Sequence, residues 1–320
     1  MNINEVNLIM KRFLNCFSSD FAQINKTELL AAIAQAEGRT VVSETIGVFP
    51  PLLTDVTNAE LAASFGADML ILNLFDVDNP TIYGLPQELA DPDFSKLSVI
   101  NKVKYLTGRP VGINLEPTIA AESNDPNPFK MTAGRIASVE NAKKALEQGV
   151  NFLVITGNPE TGVDNQKIIK SLEEIKEAVG DQLVLIAGKM HGSGILSESA
   201  ENIITEADVL NFMAAGADII LLPAPGTIPG ITMDYIRKLV QIVHQKEKMT
   251  LTSIGTSQEG ADPATIKQIA LLCKMTGTDL HHIGDSGYIG IATPENIMHY
   301  GIVIRGVRHT YHRMAASIRR

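Results

Sequence analysis

Polar residues close most of the apolar runs of this chain. In order they are Glu44, Asn73 with Asp76, Asn114 with Glu116, Thr156 with Asn158, Lys189 with His191, Ser253 with Thr256, and His282 with Asp285. Three of them, Glu44, Asp76 and Glu116, are carboxylates at the ends of the first three runs, and Asp78 adds another. An oxygen-rich set of this kind suits Mg²⁺ or Mn²⁺, which polarises a carbonyl or holds an enolate. The bland alternative is a rim of carboxylates paired with Lys or Arg. Lys189 follows its apolar run directly, where desolvation can depress an ammonium pKa for Schiff-base or proton-transfer work. The same position also serves a counter-ion to phosphate or carboxylate, or an ordinary loop lysine. His191, two residues on in a glycine-rich stretch, is a candidate acid/base partner.

The elements that must position these residues are marked by a repeat. Gly66-Ala67-Asp68 precedes MLILN, Gly149-Val150-Asn151 precedes FLVIT, Gly216-Ala217-Asp218 precedes IILLP, and Gly277-Thr278-Asp279 precedes LHHIG. Each reads as a helix stopped by a left-handed glycine, then a turn, then a buried parallel strand. Another apolar run with its own helix lies between neighbouring copies, so the repeat marks every second strand. Eight βα units follow, and with them a single α/β domain, a closed (β/α)8 TIM barrel. Residues 1–38 are expected as an N-terminal helical extension, plugging the barrel or meeting a partner subunit, and 39–320 as the barrel. Aligned on the repeat, the eighth strand departs from its siblings, with His281 and His282 where the others carry Leu, Ile or Val. Alternation along a strand puts His282 inside the barrel as a candidate base, and His281 among the helices as a structural residue.

Active sites of such barrels lie at the C-terminal ends of the strands, and the loops after strands seven and eight commonly bind phosphate. Gly255-Thr256-Ser257 and Gly284-Asp285-Ser286-Gly287 supply the small residues that backbone approach to an anion requires. The expected substrate-binding set is therefore Asn73, Asn114, Thr156, Asn158, Ser253, Gly255, Thr256, Gly284, Asp285, Ser286 and Gly287. Neither G-x-G-x-x-G after a first strand nor a Walker loop is present, so no nucleotide cofactor is expected. A net charge of −9 argues against a duplex nucleic-acid surface. The Arg- and His-rich stretch from Arg305 to Arg320 reads as the solvated face of a last helix. No run of apolar residues is long enough for a membrane span, and a cytoplasmic location is expected. Cys16 and Cys273 sit in amphipathic patterns as reduced core thiols.

The segments GADMLILNLFDVDNP, VGINLEP and TGNPETGVDNQKI resemble the strand ends of the BtpA/SgcQ group of (β/α)8 proteins across the middle of the chain. That resemblance implies the fold. The chain is also similar to phosphoenolpyruvate phosphonomutase-like proteins. Asp76-Val77-Asp78 followed by Tyr83-Gly84 resembles their metal-binding D-x-D-x-G-x-G, which implies Asp76 and Asp78 as ligands with Glu116 as a further one. Asn79-Pro80 replaces the tight glycine turn, and the E-D-K and K-K-C-G-H motifs of that superfamily are absent, so phosphonomutase activity is not carried over. The expected function is lyase, aldolase or isomerase chemistry on a small anionic, phosphorylated or carboxylated metabolite. It would use a Mg²⁺-stabilised enolate or a Lys189 imine in a homo-oligomeric enzyme. A non-catalytic ligand-sensing or assembly-factor barrel is the alternative.

Overall fold

The computed structural model describes residues 11–118, 130–157, 163–190 and 199–320. Asn158 and His191 lie outside them. Eight strands, β1 (Thr40–Ile46), β2 (Met69–Asn73), β3 (Val111–Leu115), β4 (Phe152–Ile155), β5 (Val184–Gly188), β6 (Ile219–Pro223), β7 (Met249–Ile254) and β8 (Leu280–Ile283), pair in chain order and close β8 onto β1. All are parallel, as helical crossovers require. The helices carry their own start signals. Thr57, Ser98, Ser138, Asp164, Thr205, Thr232 and Asp262 each accept a backbone N–H of the first helical turn. Gly66, Gly149, Gly216 and Gly277 of the repeat take φ of 97°, 95°, 111° and 87°, the left-handed conformation that stops each helix.

The Asp or Asn of each repeat does more than turn the chain. Asp68 donates its N–H to the carbonyl of Val41 while its Oδ2 accepts the Val41 N–H at 2.8 Å. Asn151 brackets Val111 in the same way, with 3.1 Å to its Oδ1. Asp218 does so for Leu185 at 2.9 Å, and Asp279 for Thr250 at 2.8 Å. Each even strand is thereby clamped, at its start, to the odd strand before it. The position requires a short side-chain acceptor, which explains why only Asp and Asn occur there. The charged copies need counter-ions, and each has them. Asp68 meets Arg305 and Arg313, Asp218 meets Lys26 at 2.5 Å, and Asp279 meets His244 at 2.9 Å. Neutral Asn151 needs none.

The last of these pairs gives a pH signature. The hydrogen bond to Asp279 raises the His244 pKa above its ordinary value, against an opposing effect of burial. A raised histidine pKa contributes stability that is complete below about 6.5, the unfolded value, and is lost as pH rises through the folded value. The stability deficit of His244→Gln against wild type is expected to be larger at pH 6 than at pH 8.5 in paired urea titrations. Equal deficits at both would remove the ionic part of this clamp.

The described N-terminal part forms the short helix Ser18–Phe21 and the helix Lys26–Gln35. Phe13, Leu14, Phe21, Leu29 and Ile33 pack into one cluster with inward-facing Val42, Met69, Phe152, Val184, Ile219, Leu251 and Leu280. This segment packs against the inward-facing apolar residues of the strands. Outward-facing residues of the same strands, such as Leu70, Leu153 and Leu185, join the helical layer in a second core cluster. His281 belongs to that outer layer. Its Nε2 lies 2.9 Å from the Gly38 carbonyl, which can only accept, so this nitrogen carries the proton and Nδ1 accepts from the Tyr300 hydroxyl at 3.1 Å. Burial lowers its pKa to about 4, which keeps it neutral and structural.

Candidate functional site at the barrel mouth

At the opposite end the strands open into a cavity of about 900 Å³. Its floor is apolar, with Ile71, Val154 and Leu221, and its wall is polar. His282 projects inward from β8. Its Nδ1 lies 2.6 Å from Ser253 Oγ on neighbouring β7, and its Nε2 lies 3.3 Å from Glu44 Oε2 on β1. A neutral imidazole satisfies both neighbours when Ser253 donates to Nδ1 and Nε2–H points at the carboxylate. Glu44 Oε1 also accepts from Asn114 Nδ2 at 2.5 Å, and Asn114 reaches Asn73 Oδ1 at 3.2 Å. Asn73 Nδ2 then donates to Asp285 Oδ2 at 2.8 Å. The run Glu44–Asn114–Asn73–Asp285 is one hydrogen-bonded chain around the mouth, with His282 beside Glu44, and the set is drawn from the ends of four strands.

Burial, and next the charge of Glu44, push the Asp285 pKa up to about 7 against the hydrogen bonds from Asn73 and Ser286. The proton is a property of the coupled pair. Glu259, in the short 3₁₀ turn Gln258–Gly260 after β7, is 1% exposed, and burial raises its pKa too. The sequence reading did not single it out. The available signal was a lone carboxylate among the small residues between Gly255 and the capped helix at Asp262. What carries it inward is a turn with Thr256 and Ser257 at φ of 57° and 64°, which the composition does not announce.

Glu259 also bears on the expected phosphate loops. Gly255, Thr256, Gly284, Asp285, Ser286 and Gly287 do line the mouth. Three of their backbone donors are used internally. Gly255 N–H goes to Thr227 Oγ1, Gly284 N–H to the Ile254 carbonyl, and Ser286 N–H to Glu259 Oε1 at 2.8 Å. A protein carboxylate stands where an anion was expected, and Asp285 beside it repels a second negative charge.

The proposed metal set is likewise dispersed. Asp76 Oδ1 accepts the N–H groups of Asp78 and Asn79 at 2.8 and 3.0 Å in a turn packed against Gly134. Asp78 pairs with Lys144 at 2.7 Å, and Glu116 with Arg135 at 2.9 Å. Only Glu116 of the three lines the mouth. Among the described residues no group of three or more His, Cys, Asp or Glu can hold a metal ion. Asp76, Asp78 and Glu116 therefore do not fit a divalent ion. Each is spent on an Asx turn or an ion pair within its own loop. Lys189 is 4% exposed and is not among the residues lining the cavity, whereas its neighbour Met190 is. Thr156 lines it and donates to the Gly188 carbonyl at 2.9 Å, tying the ends of β4 and β5. No helix of the described residues is long and apolar enough to cross a membrane.

Many solved structures resemble this one, three of them as follows. A protein of Burkholderia cenocepacia J2315 described as a "putative lyase/mutase" is 15% identical, over 86% of this chain and 82% of its own, with a TM-score of 0.47. A "putative phosphonomutase" of the same organism is 15% identical over 79% and 90%, with a TM-score of 0.46. A Schiff base-forming fructose-1,6-bisphosphate aldolase is 14% identical over 86% and 94%, with a TM-score of 0.48. Likenesses this distant carry no reaction across. The resemblance to the BtpA/SgcQ group has no counterpart among these matches, and no curated protein matches the chain in sequence. Residues 14–320 match the family described as "Domain of unknown function (DUF7916)", and the chain belongs to that family.

Proposed function

We propose that the mouth performs proton-transfer chemistry of the lyase, aldolase or isomerase type on a small metabolite bearing carbonyl and hydroxyl groups. One observation carries this reading. Two carboxylates at different points of the same hydrogen-bonded chain stand in different surroundings. Glu44 accepts from Asn114 and faces His282, while burial and the charge of Glu44 push the Asp285 pKa up to about 7. Titratable groups whose environments separate their pKa values are how one site supplies an acid and a base together. Glu44 is the base, oriented by Asn114 and by the His282 Nε2–H that Ser253 fixes from behind. Asp285 is the acid, delivering its proton to an oxygen that gains charge during the reaction. Lys189 has no part in this reading, because it does not line the cavity.

Ser253, His282 and Glu44 also form a serine–imidazole–carboxylate relay, which invites a nucleophilic reading. Burial argues against it. Ser253 is 0% exposed, and its Oγ lies 3.1 Å from Met190 Sδ, which stands on the approach to the hydroxyl. A positioning role for Ser253 is the better account.

The test is solvent exchange. Wild-type protein incubated in deuterium oxide with small hydroxylated aldehydes, ketones and amino sugars is expected to replace a carbon-bound hydrogen of a bound compound, followed by proton NMR. Glu44→Gln and Asp285→Asn should each slow that exchange by roughly 10²- to 10⁴-fold. A compound that binds the mouth with no exchange in any case would favour the ligand-sensing barrel instead.

A further inference from the structure

Another cavity, of about 470 Å³, is large enough for a small ligand. Gly108 and Arg109, which line it just before β3 begins, place it at the end of the barrel opposite the mouth. It forms where residues 18–22, 97–109 and 318–320 meet.

Its charge is one-sided. Lys104, Arg109, Arg319 and Arg320 line it, and among the described residues no Asp or Glu does, although the chain as a whole carries −9. The carboxylates close by in sequence are engaged elsewhere. Asp20 pairs with Lys11 at 2.8 Å, and Asp91 accepts the Tyr105 hydroxyl at 3.0 Å.

Two of the four cations are withdrawn from water without a carboxylate of their own. Arg109 is 5% exposed and gives its N–H groups to the carbonyls of Ala67 at 2.9 Å, Arg313 at 3.0 Å and Gly108 at 3.5 Å. It stands in the field of Arg305 and Arg313, so that three guanidinium groups share the single carboxylate of Asp68. Lys104 is half-buried, and its ammonium reaches the Gly149 carbonyl at 3.0 Å with two hydrogens left over. Burial lowers its pKa, and no carboxylate offsets that effect. Carbonyl partners satisfy hydrogens but leave the charge uncompensated. Ser18 Oγ and the Asn101 amide group also line the cavity and make no hydrogen bond among the described residues. Arg320 is steadied with its guanidinium 5.2 Å from the centre of the Phe17 ring. A carboxylate would offset one of these charges, whereas a phosphate group offsets nearly two and presents three oxygens, in a shape that guanidinium groups match.

We propose that this cavity binds the phosphate group of a small phosphorylated compound, with Lys104, Arg319 and Arg320 as counter-charges and Ser18 and Asn101 as neutral donors. Its carbon skeleton lies against Phe21, Leu97 and Tyr105. Bound there, the phosphate joins the N-terminal segment and the last residues of the chain to the helix Val99–Thr107. The site is separate from the mouth and independent of the acid–base reading.

Isothermal titration of the full chain with inorganic phosphate, glycerol phosphate and glycerol, at an ionic strength fixed with potassium chloride, tests the site. Both phosphates are expected to bind, and glycerol is not. Lys104→Gln, checked for an unchanged fold by circular dichroism, should weaken phosphate binding roughly 10- to 100-fold. Replacing the exposed arginines together, Arg319→Gln with Arg320→Gln, should weaken it by about 10-fold, and this pair decides the matter if Lys104→Gln does not fold. Failure of both phosphates to bind overturns the proposal, as does binding that neither replacement weakens. Tighter binding in Glu44→Gln, which removes a negative charge from the mouth, would place the anion there and also overturn it.

Discussion

Asp68→Asn will lower the thermal midpoint by roughly 10 °C, the cost of leaving buried guanidinium groups without their carboxylate. Asp68 is wholly buried between Arg305, on the last helix (Pro294–Ala315), and Arg313, whose Nε lies 2.7 Å from Oδ1. Gly306, at φ 78°, breaks that helix between the two arginines, and both side chains converge on the one carboxylate. Arg109, also buried, has its pKa lowered to about 9 by burial and by Arg313. Removing the one negative charge from this set costs about 3–5 kcal/mol. Asp68→Ala loses, in addition, the acceptor for the Val41 N–H, worth about 1 kcal/mol more. Differential scanning calorimetry of the two variants separates charge from clamp. A loss under about 1 kcal/mol for the Asn variant would mean that the carboxylate contributes no more than an exposed ion pair.

Asp285→Asn is expected to act in the opposite direction on stability while removing the proposed acid. Its folded pKa, near 7, stands above the ordinary carboxylate value, so the native state binds more protons than the unfolded chain between about pH 4 and pH 7. Stability therefore falls as pH rises through that window and stays low above it. The Asn variant does not titrate. Its unfolding free energy should match wild type near pH 4 and exceed it at pH 8, by an amount on the order of a few kcal/mol. Hydrogen exchange into a bound ligand should fall by roughly 10²-fold or more over the same pH range. A parallel pH dependence of wild type and variant would show that Asp285 carries no such proton.

The barrel was legible in the sequence because its marks are local. A left-handed glycine, a capping residue directly before a helix and an apolar run each follow from neighbouring residues. The register of the repeat also told His282 from His281, since alternation along a strand is set by backbone geometry alone. The mouth was legible only as a list of strand ends. Glu44, Asn73, Asn114 and His282 meet there because consecutive strands place them on one ring. Asp76 and Asp78 left the list because each found a nearer partner, a turn N–H and Lys144, that no spacing rule announces. Glu259 joined it through two left-handed residues that carry side chains, a conformation with no compositional signature. The phosphate expectation rested on composition in the same way. Small residues permit an anion to approach, but they do not say whether the protein has already supplied one.

The four clamps also divide labour along each strand. In β8 the clamping Asp279, the imidazole of His282 and the acidic Asp285 follow one another within a few residues, yet closure depends on the first and the proposed chemistry on the last two. Strands β2 and β4 keep the same grammar, with Asp68 or Asn151 at the bottom and Asn73 or Thr156 at the top, whereas β6 has Asp218 at the bottom and Pro223 at the top. Closure and reaction are therefore separable traits in this scaffold. A library randomised at Asn73, Thr156 and His282 with Asp68, Asn151, Asp218 and Asp279 left intact would vary the catalytic alphabet on a frame that still closes.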